Sequence, residues 1–272
     1  MYHGGAITRD SKLELSKEAS HHLMTVLRAR AGDSIVVFNG DGNEYHATLH
    51  GDTERPNRRR AVLEVMDSQV GIAESPVHIT LIQCVSRPER MDICLRQSVE
   101  LGVTHIQPLY SRHSIKVKDE AKAAKKQEHW QSIILSACEQ SARNAIPTLG
   151  HAENYEQWFA ASKASEGQSE SAVQAATLVL SPTATQSLSQ QADALAKAAK
   201  AIVNPQPIEI SKPTQGVRVA IIIGPESGLD GDEIQTAIAC GAVPVNIGKR
   251  ILRTETAGPA CIAILQSILG DL

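Results

Sequence analysis

Two apolar, β-branched runs near the carboxyl end, Val219 to Ile223 and Val243 to Ile247, each stop at a glycine followed by polar residues and then a helical pattern. That succession predicts two β-loop-α units in tandem. Gly224-Pro225-Glu226-Ser227-Gly228 closes the first run and Gly248 the second. Asp230 with Glu233 three residues on has the spacing of a capping box, so a helix is expected over Ile234 to Cys240, stopped at Gly241. Pro259 is expected in the first turn of a last helix whose apolar run is Cys261 to Leu269. In open α/β sheets ligands sit beyond the carboxyl ends of the strands, so two such loops side by side predict a pocket.

Upstream the same periods recur. Val77 to Val85 reads as a buried strand, and Pro88 to Leu101 as a helix with Met91, Cys94, Leu95, Ser98 and Val99 on one face and Gly102 at its end. His105 to Tyr110 reads as the next strand, and strand, helix, strand in series argues for a parallel sheet. Ser111 to Lys126 is basic and rich in Ala and Lys; Glu128 to Asn144 is a helix with Trp130, Ile133, Ile134, Ala137 and Cys138 on its apolar face. Thr177 to Pro182 contains a further buried strand. Its polar flanks within residues 160–216 read as a partly helical insertion and a mobile loop, too polar for a core.

Residues 1–72 have a different rhythm. Ser34 to Phe38, Glu44 to Leu49 and Arg60 to Val65 are short β-type runs separated by turn signals such as Asn39-Gly40-Asp41-Gly42-Asn43, the spacing of a small barrel. Ser20 to Arg30 is the helical candidate there. A linker, Gly71 to Pro76, divides residues 1–72 from 73–272.

Composition narrows the classes. A chain of 272 residues holds one large or two small domains. A formal net charge of -3 gives no global bias toward nucleic acid, but Lys and Arg outnumber Asp and Glu over residues 87–147 and are outnumbered over 150–217, so any RNA contact is expected to be local. Cys84, Cys94, Cys138, Cys240 and Cys261 fall singly on apolar segments without C-x-x-C spacing, which predicts buried thiols in a reducing compartment and no metal site. No charged-then-apolar leader opens the sequence and no apolar run reaches transmembrane length, so a soluble, cytoplasmic protein is expected.

Several candidate residues carry two readings. The GPESG segment is either a strand-exit turn or a ligand loop; Arg253-Thr254-Glu255-Thr256 is either a capped helix start or a polar cluster that needs partners because it lies between a glycine turn and a buried helix. Neither is a G-x-G-x-x-G fingerprint or a Walker A loop. His21 and His22 point about 100° apart on a helix and do not converge on one ligand. Arg58-Arg59-Arg60 is a solvated turn or an RNA-docking run. Glu139 and Arg143 stand four apart, the spacing of an intrahelical ion pair.

The pairing of GPESGL with IGKRILRTETAGPA resembles the RsmE family of SPOUT methyltransferases. His21-His22-Leu23 with Val26-Leu27-Arg28, Ser98-Val99-Glu100-Leu101-Gly102-Val103, and Cys138-Glu139-Gln140-Ser141-Ala142-Arg143 agree with it. The resemblance covers most of the chain except its middle. It implies an α/β protein: a small N-terminal PUA-like RNA-binding β-barrel over 1–72, then a SPOUT α/β domain over 73–272 with a C-terminal trefoil knot. It further implies a cytoplasmic homodimer that uses S-adenosyl-L-methionine to methylate N3 of a uridine in small-subunit (16S) ribosomal RNA.

Carried over residue by residue, the resemblance implies that Leu180, Ser181, Pro182, Gly224, Glu226, Ile247, Gly248, Leu252, Thr254 and Thr256 hold the cofactor. Arg253 and Arg143 would orient the base or stabilise charge, with Glu139 as proton acceptor, and Arg28, Arg30, Arg87 and Arg112 would contact RNA. Relatives commonly have a histidine or an acidic residue where Ser181 stands. Tyr2-His3 matches a position that a basic residue precedes in the family, whereas Met1 precedes it here, so one RNA contact is expected to be absent or supplied elsewhere. The competing readings are a SPOUT 2′-O-ribose methyltransferase acting on another RNA and a non-catalytic, RNA-binding ribosome-assembly factor.

Overall fold

The computed structural model describes residues 1–50, 60–72, 74–116, 119–164, 175–202 and 216–272. They form two compact units, Met1–Glu74 with Cys138–Ile146, and Ser75–Ala137 with Pro147–Leu272. Arg58, Arg59 and much of the 160–216 stretch lie outside the described residues.

The smaller unit is an antiparallel sheet in the order β1 (Lys12–Glu14), β4 (Val62–Val70), β3 (Asn43–Leu49), β2 (Ser34–Val37), with a bulge between His46 and Ala47. Alternate residues turn inward, so Leu13, Val37, Tyr45, Ala47, Leu49, Leu63 and Val65 share one core with Leu15 and Leu23. β4 continues through Met66 to Val70 although that half is exposed, because its backbone still pairs with β3. An apolar pattern does not reveal such a half-strand. The expected helix over Ser20 to Arg30 is a short α1 (Lys17–His21) followed by one wider π-helical turn, His22–Val26.

The larger unit is built on a parallel sheet in the order β11 (Val243–Val245), β9 (Ala175–Leu180), β10 (Arg218–Ile223), β5 (His78–Cys84), β6 (His105–Tyr110), β7 (Thr148–Leu149), with β8 (Glu153–Asn154) also paired to β6. Ile82, Val179 and Ile222 face α4 (Tyr155–Ala164) and α6 (Gly231–Ala239), packing with Tyr155, Phe159 and Ala237. On the other side α7 (Thr254–Leu269) packs against α2 (Pro88–Glu100), α5 (Leu188–Ile202), β5 and β10. Strands covered on both faces read as continuous apolar runs, which is why they were legible. α2 buries Met91, Cys94, Leu95, Ser98 and Val99, the face the sequence predicts, and Gly102 follows at φ +87°.

Three expectations change. The 160–216 stretch contributes to the core, since Leu188, Ala192 and Leu195 of α5 are buried; spacings of four and three put these small and branched residues on one stripe despite the polar composition. The last helix starts at Thr254, so Pro259 lies inside it rather than in its first turn. α3 (Glu120–Ser141) begins well before Glu128 and ends before Arg143, with Ala142 at φ +58°.

Cys84, Cys94, Cys138 and Cys261 are buried free thiols. Burial pushes Cys138 up to about 11 and Cys94 and Cys261 up to about 12, so these sulfurs are packing groups rather than nucleophiles. No helix among the described residues is long and apolar enough to cross a membrane.

The capping box of α6 is formed: Asp230 accepts from the Glu233 N–H at 2.9 Å and Glu233 from the Asp230 N–H at 3.0 Å. Glu233, buried, also accepts the Arg112 N–H at 2.7 Å, and its carbonyl accepts the Tyr155 hydroxyl at 3.0 Å. Replacing Asp230 by Ala is expected to lower unfolding free energy by about 1–2 kcal/mol in urea titrations, with Asp230→Asn retaining most of it.

Candidate functional site

The carboxyl ends of β9, β10 and β11 converge on a cavity of about 300 Å³. Leu180, Ser181 and Pro182 supply one wall, Ile223 to Leu229 a second, and Asn246 to Gly248 with Arg250, Ile251 and Leu252 a third; Thr254, Ala257 and Ile234 complete the lining. Every residue assigned to the cofactor from sequence is therefore on this one cavity except Thr256, which is exposed on the first turn of α7.

Local chemistry explains each wall. Gly224 ends β10 where a Cβ would lie 2.7 Å from the Leu229 nitrogen and 2.9 Å from the Gly228 carbonyl carbon, so the loop folds back only over a glycine. Gly228, at φ +77°, closes that turn by donating its N–H to Pro225 O. The third wall is stitched to the first: Ser181 N–H donates to Val245 O, and the Asn246 side chain donates to Ala184 O at 2.7 Å while accepting the Gly248 N–H at 3.1 Å. The backbone of Asn246 continues the strand pairing through a parallel bridge to Ser187, and its side-chain amide then holds the turn at Gly248.

The walls meet on one buried polar chain. Thr254 Oγ1 donates to Gly224 O at 2.7 Å and accepts from Gln83 Nε2 at 3.0 Å; Gln83 Oε1 in turn accepts from Cys94 Sγ at 3.3 Å. Gln83 and Thr254 are both buried. The demand that the RTET segment find partners is met here for its first threonine. A glutamine in the apolar run of β5 was the available signal for its partner, because a buried amide implies a polar neighbour.

Around the rim, Glu226 accepts the Arg87 N–H at 2.9 Å and lies 3.9 Å from Arg90 Nε, while Arg90 Nη1 stands 3.8 Å from Glu255 Oε2. Arg90, unremarked in the sequence, thus spans the loop after β10 and the start of α7. Arg253 is exposed at the position preceding α7, and Arg87 is exposed at that preceding α2. Arg112 pairs with Asp230 at 2.7 Å and Asp232 at 3.4 Å, and these carboxylates raise its pKa, so an RNA contact there requires exchange of those partners for phosphate.

The remaining candidates belong to the smaller unit. Arg143 is buried and holds Glu74 through two hydrogen bonds, Nε to Oε1 at 3.1 Å and Nη2 to Oε2 at 2.6 Å. Glu139 accepts the Tyr2 N–H at 2.8 Å. The intrahelical pair suggested by their spacing is replaced by these contacts, because α3 stops between them. Arg28 and Arg30 are exposed, and so are His21 and His22, with His21 Nδ1 3.3 Å from Thr25 Oγ1.

A family model described as an RNA methyltransferase domain matches residues 73–266, and one described as an RNA methyltransferase PUA domain matches residues 15–54. Ribosomal RNA small subunit methyltransferase E of Buchnera aphidicola is 31% identical over 96% of this chain and 92% of its own length. The chain belongs to this RNA methyltransferase family. Two solved structures are similar over the whole of it. The ribosomal RNA small subunit methyltransferase E of Neisseria gonorrhoeae, bound to S-adenosyl methionine, is 32% identical with a TM-score of 0.78, covering 100% of this chain and 98% of that one. A structure from Legionella pneumophila, described as a methyltransferase in complex with S-adenosylmethionine, is 31% identical with a TM-score of 0.79 and the same coverage.

The buried chain at Thr254 yields a prediction. Thr254→Val leaves Gly224 O and Gln83 Nε2 each short of a partner and is expected to cost about 1–3 kcal/mol in chemical denaturation, whereas Thr254→Ser, which retains the hydroxyl, is expected to cost less than half as much.

Proposed function

We propose that the protein is an S-adenosylmethionine-dependent methyltransferase that methylates N3 of a uridine in 16S ribosomal RNA. The observation that carries this reading is the three-walled cavity at the carboxyl ends of β9, β10 and β11, in a chain whose family relatives include an S-adenosylmethionine-bound enzyme. The cavity suits the cofactor on its own chemistry: Ile223, Leu229, Ile247, Leu252 and Ala257 offer apolar faces for a flat adenine, and Gly224 and Gly248 let its edge and the ribose approach the backbone with no side chain between. Leu180 to Pro182, Glu226 and Thr254 complete the proposed contacts, with Thr256 outside the cavity wall. When bound, the cofactor supplies an electrophilic sulfonium methyl.

The chain's own residues must then position a base and manage one proton, since neutral uridine carries a hydrogen on N3. Arg253, at the exposed entry to α7, is proposed to hold the base and stabilise negative charge spreading onto O2 and O4; a guanidinium stays charged and donates in a fixed fork. Arg143, whose guanidinium Glu74 fixes in plane, is proposed as a second orienting group. Glu139, whose carboxylate accepts the Tyr2 N–H, is proposed as the proton acceptor.

On the same reading, the antiparallel unit is a PUA-like barrel whose Arg28 and Arg30 meet RNA, with Arg87 and Arg112 as further contacts. The last two strand-loop-helix units form a trefoil knot that encloses the cofactor. The enzyme works as a cytoplasmic homodimer on rRNA, within or before assembly of the small subunit. A near-zero net charge favours a structured target read locally over any long polyanion.

Incubation with small ribosomal subunits or naked 16S RNA from cells lacking the gene, followed by nucleoside mass spectrometry, is expected to give 3-methyluridine. A ribose-methylated nucleoside would overturn the N3 chemistry, and RNA binding without methyl transfer would favour an assembly factor. Arg253→Ala is expected to lower kcat by about 10²–10³-fold with cofactor affinity unchanged by calorimetry. Normal turnover in that variant would remove Arg253 from the mechanism.

A further inference from the structure

In the smaller unit, Val26 and Leu27 are 60% and 58% exposed, adjacent in sequence and both large aliphatics. They are not on a loose end. Immediately before them Leu23 is fully buried in the unit's core, Met24 packs against that core, and immediately after them Ala29 does the same. Ser20, also buried, accepts the Ala61 N–H at 2.9 Å and so ties α1 to the sheet. The pair is therefore held out in water between two anchored points.

The backbone that presents it is unusual at each step. The wide turn His22–Val26 is closed by Leu27 N–H donating to His22 O at 3.0 Å, and Ala29 N–H reaches back to Leu23 O at 3.1 Å. Arg28 adopts φ +56°, a left-handed conformation that costs a β-carbon-bearing residue energy and that glycine would adopt freely. Single π-helical turns and left-handed non-glycine residues concentrate where a chain must aim particular side chains. Here both devices flank the same two aliphatics.

The chemistry around the pair selects its partner. His21, His22, Arg28 and Arg30 flank it in sequence and are exposed, and neither arginine is salt-bridged to a carboxylate among the described residues. Asp33 Oδ2 accepts the Arg30 N–H at 2.7 Å. Exposed aliphatics followed by two exposed arginines match a ligand with apolar faces and an anionic backbone, which describes an unstacked stretch of RNA.

We propose that Val26 and Leu27 form an aliphatic wedge that docks against an unstacked base of the RNA substrate, while Arg28 and Arg30 engage the flanking phosphates. The wedge rests on the RNA-substrate reading above and adds the element that recognises a splayed segment rather than a regular duplex. Arg28 takes its strained conformation because a glycine there would relax the turn but remove a phosphate contact.

Steady-state methylation by the full chain, with thermal melting and cofactor calorimetry in parallel, tests the wedge. Val26→Ser with Leu27→Ser is expected to raise KM for the RNA at least tenfold while leaving cofactor affinity and the melting midpoint unchanged, and Leu27→Met is expected to retain wild-type KM. Arg28→Gly is expected to raise the melting midpoint, raise KM, and flatten the salt dependence of RNA binding by about one phosphate contact. A double serine variant with wild-type KM overturns the wedge, as does one whose defect tracks loss of a dimer in light scattering, which would assign the pair to contact between copies. A wild-type enzyme that transfers no methyl group to RNA removes the functional reading and the wedge with it, so the two failures are distinct.

Discussion

A single hydroxyl, that of Thr254, holds the larger unit's chemistry in place. It accepts from Gln83 at the end of β5 and donates to Gly224 at the end of β10, so the helix that closes the chain is pinned to the two central strands from inside the protein. The arrangement is demanding because Gln83 and Thr254 are both removed from water, and an unmatched polar atom there costs more than a matched one gains. The same contact orders the surroundings. It fixes the start of α7, hence the exposed position of Arg253, and it fixes the carbonyl from which the GPESG loop turns away. Glycine at 224 is the complementary constraint, since no side chain fits between that turn and Leu229.

Legibility from sequence followed burial geometry. β9 and β10 were readable because strands covered on both faces are written in near-continuous aliphatics, β5 and β6 because their apolar runs persist around a single buried glutamine each, Gln83 and Gln107, and α2 because its buried face repeats at helical spacing. The capping box at Asp230 and Glu233 was readable because its logic is local, four residues long and independent of tertiary context. What escaped was whatever depends on contacts distant in sequence. The exposed half of β4 carries no apolar alternation, α5 hides Leu188, Ala192 and Leu195 among polar neighbours, and Pro259 lies inside a helix that already starts at Thr254, whose hydroxyl bonds to distant Gln83. Glu139 and Arg143 show the limit most directly: spacing suggested that they pair with one another, but the helix ends between them and each finds a different partner.

The candidate site divides in the same manner. Its loops were legible because glycines and proline punctuate strand ends, and the motif's resemblance to a known family pointed to the residues now lining one cavity. Of the parts that brace those loops, Gln83 leaves a signal as a glutamine within an apolar run, while the roles of Arg90 and Asn246 are conferred by neighbours distant in sequence. The proposed function thus rests on two kinds of element: backbone turns that line the cavity, written in short motifs, and side chains that lock those turns, scattered over the chain. The smaller unit follows a parallel logic, with buried Leu23 and Ser20 bracing a turn that presents Val26, Leu27 and Arg28.

That the cavity at the strand ends receives the methyl donor is the claim on which the rest of the account depends. Titration calorimetry of S-adenosylmethionine into the wild type and into Ile247→Trp, whose added ring fills the cavity from its third wall, tests it most directly. The account predicts binding of one equivalent per chain to the wild type, and loss of that binding in Ile247→Trp with the cooperative unfolding transition retained. Wild-type affinity in the folded variant would contradict it and place the methyl donor elsewhere on the protein.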